Sequence, residues 1–139
     1  MSNILEDQLA AFTALLTGDG LTVYDGQVPD SPGTQYVLIY AYFETPDGLV
    51  AADAVPLTGA SVELDPRMYC HCVGSTPQSA RATAARVRAA VLDQVLTVAG
   101  WTCSPVRYRE GQPPRRDEEI PGVPVHDQTD VYGWRALAV

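Results

Sequence analysis

Cys70-His71-Cys72 is the first stretch of this 139-residue chain whose residue types could do chemistry. Two thiols and an imidazole could bind a soft metal, or a thiolate could act as a nucleophile beside a base. Extended geometry argues against both. Side chains alternate across a strand, so Met68, Cys70, Cys72 and Gly74 share one face, and Tyr69, His71 and Val73 take the other. The imidazole then points away from both sulfurs. Closed zinc sites need four ligands, usually in paired clusters. The remaining candidates, Cys103 and His126, each stand alone. The thiols therefore read as buried structural groups, which unpaired cysteine often is. His126-Asp127 offers a base and an acid in sequence, but neighbours on an extended chain point apart. Asp117, Glu118 and Glu119 form a carboxylate run, and such runs on loops are usually solvated. No phosphate-binding glycine loop, nucleophile elbow or H-E-x-x-H pattern is present. No catalytic residue, metal site or cofactor is expected.

The elements around Cys70 follow from patterning. Leu5, Leu9, Phe12 and Leu16 make an amphipathic helix over 3–16, capped by Ser2 or Asn3 and stopped by Gly18 and Gly20. Leu21–Tyr24 reads as a short strand, and 26–33 as a turn-rich loop. YVLIYAYF, Tyr36–Phe43, is almost wholly apolar and predicts a central strand covered on both faces. A long excursion, about 44–64, leads to a strand over Arg67–Val73, antiparallel to 36–43. Thr76-Pro77 caps a second helix, with Ala80, Ala84, Val87, Val91, Val95 and Val98 as its buried stripe and Gly100 as its stop. Trp101–Tyr108 is a further strand. The Pro- and charge-rich 109–127 segment reads as an exposed arm or an ordered loop, and Val131–Ala138 as the last strand. The expected fold class is α/β in the α+β sense. It is a single domain, 1–139, with a mixed, mostly antiparallel sheet of four to five strands, two helices packed on it, and extended loops.

Charge and composition narrow the function. All nine basic residues are Arg, and the net charge is −8. Residues 1–66 hold ten acids and no Arg, a net of −10; residues 67–139 hold nine Arg and seven acids, a net of +2. So acidic a chain is a poor general nucleic-acid binder. The asymmetry would let an acidic surface of one copy meet a basic surface of another. The acidic N-terminus is unlike a signal peptide, and no run approaches the ~20 apolar residues of a membrane span, so no membrane association is expected. The odd cysteine count suits a reducing compartment.

The segments VYDGQVPDSP (23–32), YVLIY (36–40), YCHCVGSTPQSARATAARVRAAVLD (69–93), GWTCSPVRY (100–108) and VHDQTDVYGWRA (125–136) follow one another in an order that carries a likeness. The chain resembles the tail terminator (minor tail or neck) proteins of long-tailed bacteriophages. That resemblance implies a virion protein made in the host cytoplasm. It implies a six-membered ring that caps the tail tube, ends tube polymerisation and presents a surface for head–tail joining. The implied partners are further copies of the chain, the tail tube protein and a neck or head-completion protein. No active residue carries over. The expected contact residues are Arg115, Arg116, Asp117, Glu118 and Glu119, with Arg81, Arg86 and Arg88 behind them. Two other readings stand beside this one: a head-completion or other neck part of the same particle, and a small enzyme or metal-binding module built on the Cys-His-Cys.

Overall fold

The computed structural model describes residues 4–43, 63–116 and 125–139. The order of elements is α1 (Ile4–Gly18), β1 (Val23–Asp25), β2 (Tyr36–Phe43), β3 (Glu63–Leu64), β4 (Pro66–Gly74), α2 (Pro77–Val91), β5 (Trp101–Cys103), β6 (Arg107–Gly111), β7 (Arg115–Arg116), β8 (His126–Gly133) and β9 (Ala136–Ala138). The architecture is α+β, as the patterning predicts. The strands form two sheets. The larger has six strands, in the order β1-β2-β4-β8-β6, with β7 also paired to β8. The smaller has three, in the order β3-β9-β5. Pairing in the larger sheet is antiparallel except between β1 and β2.

Both helices lie on one face of the larger sheet, and the core sits between. Leu9, Phe12 and Leu16 of α1 and Ala84, Val87 and Val91 of α2 pack over Val37, Ile39, Met68, Cys70, Cys72 and Tyr132. Trp134 stacks on Phe12, with ring centroids 5.6 Å apart. Its indole Nε1–H donates to Oε1 of buried Gln8 at 2.9 Å. A buried indole N–H without an acceptor would cost on the order of 1–3 kcal/mol, so Gln8 replaces an apolar residue on this helix face for a reason.

α2 begins as expected. Thr76 is the N-cap, and its hydroxyl accepts from the Ser79 N–H at 3.0 Å. Its end differs from expectation. The helix stops at Val91 rather than Gly100, and Asp93 adopts a left-handed φ of 65°. Leu96 and Val98 still reach the core, but Val95 is exposed. The apolar spacing at 95 and 98 comes from a turn stitched to the chain beyond, through Asp93 N–H to Val106 O and Val106 N–H to Gln94 O, each below 3 Å.

Two predicted strands are broken for one reason. Trp101–Tyr108 divides around Pro105 into β5 and β6, and Val131–Ala138 divides at Trp134-Arg135 into β8 and β9. In each case the chain crosses from one sheet to the other. The described parts of the 109–127 segment belong to the larger sheet, and residues 117–124 lie outside the described residues. Residues 109–111 extend β6, 115–116 form β7 and 126–127 begin β8. Most of the 44–64 excursion lies outside the described residues; its end, 63–64, is β3.

Candidate interaction surfaces

The face of the larger sheet opposite the helices carries the other half of every alternating strand. From β2 it presents Leu38, Tyr40 and Tyr42; from β4, Arg67, Tyr69 and His71; from β8, Asp127 and Thr129. No described helix covers this face. Tyr40 retains 46% of its accessible surface and Tyr42 36%. Among the described residues, helices cover the β2 run on one face only; at Tyr40 and Tyr42 the other face is open, and the tyrosines account for the difference: their rings are apolar but each hydroxyl can stay wet. The rings form a ladder across the strands. Tyr40 meets His71 edge-on at 5.5 Å, Tyr42 lies 5.9 Å from Tyr69, and Tyr69 lies 6.2 Å from His71.

His71 Nδ1 lies 2.6 Å from Asp127 Oδ2, and the Thr129 hydroxyl is 3.3 Å from the same nitrogen. The β4–β8 register sets this up. His71 sits opposite Thr129 and diagonal to Asp127, all on one face. Sequence adjacency suggests His126 as the partner of Asp127, but alternation sends those two side chains apart. The His71–Asp127 pair lies in a groove of about 750 Å³ walled by Val28, Pro29, Pro32 and Gly33 and floored by Tyr36, Leu38 and Val73.

The thiols are on the helix side. Cys70 and Cys72 are fully buried and unpaired, as is the more distant Cys103 in all but a small part. Burial, then the field of Asp130, pushes the Cys70 thiol well above its ordinary range, and burial does the same to Cys72. Among the described residues no three His, Cys, Asp or Glu side chains converge as a metal site. Asp130 is a buried carboxylate beside Gln128 and Tyr108, and burial raises its pKa against the opposing hydrogen bond from Gln128.

The arginines expected at contacts fall in three places. Arg81 and Arg88 line a hollow of about 300 Å³ with Tyr108, Gln128 and Asp130. Arg88 also covers the Tyr108 ring, 5.2 Å from its centroid. Arg86 turns the other way and donates to the Asp19 carbonyl at 3.0 Å, joining α2 to the end of α1. Arg115 and Arg116 are exposed on β7, opposite Asp127 and His126 in register. Asp117, Glu118 and Glu119 lie outside the described residues.

A further basic group was not singled out from the sequence. Arg109 occupies a bulge in β6, between Tyr108 and Glu110. Burial, then repulsion from Arg67, with Arg135 and Arg107 adding to it and Asp65 opposing, holds its guanidinium below the usual arginine range. Arg67 is paired with Asp65, Arg135 with Glu63 and Arg107 with Asp93. Sequence spacing hides this corner, because its arginines come from three separate segments.

No protein-family model matches the chain, and no curated protein matches it. Solved structures share its fold. One is a chain of the "Virion of native gene transfer agent (GTA) particle", with TM-score 0.63 and 18% identity, covering 96% of this chain and 92% of that one. A second solved structure has TM-score 0.59 and 16% identity, covering 94% of each chain. Among the described residues, no helix is long and apolar enough to cross a membrane.

Proposed function

We propose that the chain is a structural protein of a phage-like virion, and that it acts as a tail terminator. In that role it forms a ring, six-membered by its resemblance to that family, on the last turn of the tail tube. The ring ends tube growth and offers the neck a docking surface. The carrying observation is the fold shared along nearly the whole length with a chain of a gene transfer agent virion, which is a phage-like particle. The buried, hard-to-ionise thiols support a non-catalytic role, since a reactive cysteine needs an accessible thiolate. The open tyrosine face supports a role in assembly, because tyrosine and arginine are enriched where proteins meet.

Electron microscopy of particles made without this protein tests the reading. Overlong tails without heads are expected. Tailless heads that leak DNA would instead identify a head-completion part, and normal particles would end both readings.

A further inference from the structure

The strand order separates charge across the sheet. β1 is one edge of the larger sheet, with α1 packed over β1 and β2. Residues 4–43 on this side hold Glu6, Asp7, Asp19, Asp25 and Asp30, all exposed, and no Arg of their own; one arginine from elsewhere, Arg86 of α2, reaches the Asp19 carbonyl. β6 is the opposite edge, and there Arg67 and Arg107 both lie opposite Gly133 in register, with Arg109 two residues along β6, Arg135 two residues past Gly133, and Asp65, Asp93 and Glu63 among them. Three of these arginines have a carboxylate partner within the chain. Arg109, on the bulge, has Glu110 beside it, and that carboxylate accepts from the Tyr69 hydroxyl at 3.5 Å. Crowded cations in a chain of net charge −8 lower their energy by meeting an outside anion.

The two charged edges lie on opposite sides of the molecule, so one copy cannot satisfy both by itself. A two-fold contact would set like edges together. A head-to-tail contact sets acid against arginine at every step, and such contacts close into rings when the rotation permits. We infer that the arginine corner centred on Arg109 is the inter-subunit contact, and that it receives the acidic β1–α1 edge of a second copy of this chain. The inference rests on the ring reading and names the surfaces that would build the ring. The corner is separate from Arg115 and Arg116: β7 pairs at residues 126–127 of β8, six positions from Gly133, which is roughly 20 Å along a strand.

Cysteine cross-linking tests it on the full chain, because the three native thiols are buried. Glu110→Cys, next to Arg109, is combined in turn with Ala10→Cys, Gln27→Cys and Ser31→Cys, exposed neighbours of the acids on the other edge, so that Arg109 and those acids are kept. Each protein is treated with a short bis-maleimide during particle assembly. At least one pair should give a covalent ladder of multimers on a denaturing gel, while Glu110→Cys alone stays monomeric. Arg109→Glu, built into the best cross-linking pair, should cut the ladder about tenfold, the loss expected for ~1.4 kcal/mol at an interface, and Arg109→Lys should retain most of it. No ladder from any pair in particles of normal tail length would overturn the contact and leave the terminator role standing. A dimer from Glu110→Cys alone would overturn the head-to-tail geometry. A ladder in protein whose absence leaves tails unchanged would keep the contact and reject the terminator role.

Discussion

Cys70 illustrates how a residue that looks chemical becomes inert. Strand alternation turns its sulfur into the core, between Ile39 on β2 and Asp130 on β8 in register, and burial disfavours the thiolate. Only the thiolate attacks an electrophile, so reactivity should follow unfolding. The folded protein should leave Cys70 and Cys72 unmodified by an aromatic disulfide reagent at neutral pH, while the denatured chain should titrate three thiols. Rapid labelling of Cys70 in the native state would show that the strand does not hold it inside. This much was legible in the sequence, because period-two alternation needs no partner strand to be known. The His71–Asp127 pair was not. It depends on the register between β4 and β8, whose residues stand 56 positions apart along the chain. The Arg109 corner was hidden for the same reason, since repulsion among arginines from β4, β6 and the β8–β9 junction is a property of the assembled sheet.

At the scale of elements, type was easier to read than extent. The cap at Thr76, the Ala80–Ala84–Val87–Val91 stripe and the pairing of 36–43 with the Cys70 strand follow from local signals. The end of α2 does not, because residues 96 and 98 keep the apolar spacing of a helix while serving a turn. The close seat of α2 on the sheet is set by Gly74. A methyl group there would come within 2.5 Å of the Ala80 nitrogen and the Ser79 carbonyl carbon, both backbone atoms of the first helical turn. Backbone cannot swing aside as a side chain can, so the strand or the helix start must shift. Gly74→Ala should therefore destabilise by about 1–3 kcal/mol, the usual cost of overpacking, read as a lower urea midpoint at unchanged m-value. A midpoint equal to that of the native protein would mean that α2 floats on the sheet rather than resting on it.

For the whole molecule, the division into an acidic half and an arginine-bearing half carries more information than any motif, because self-assembly uses surfaces rather than sites. The sequence shows that charge is divided; only the strand order shows that the Arg-free segment 4–43 and the arginine corner end on opposite edges, with Glu63 and Asp65 of the acidic half drawn to the arginines. Arg115 and Arg116 extend the basic edge along β7. Their pairing with β8 is made by backbone groups, and both side chains are exposed, so removing the side chains leaves the ladder in place. The double variant Arg115→Ala/Arg116→Ala should keep its unfolding free energy to within the ~0.5 kcal/mol typical of surface changes, and so melt close to the native protein. Exposed ion pairs contribute ~0.2–1 kcal/mol each, so two lost contacts should weaken capping by roughly two- to thirtyfold. Added salt screens such contacts over a Debye length of about 8 Å near physiological strength, so the gap between native and variant protein should shrink as salt rises. Tail-length distributions measured at matched protein concentration and two ionic strengths give the result. A variant that melts normally and still ends tails at the native length would remove β7 from the assembly surface and leave the Arg109 corner to act without it.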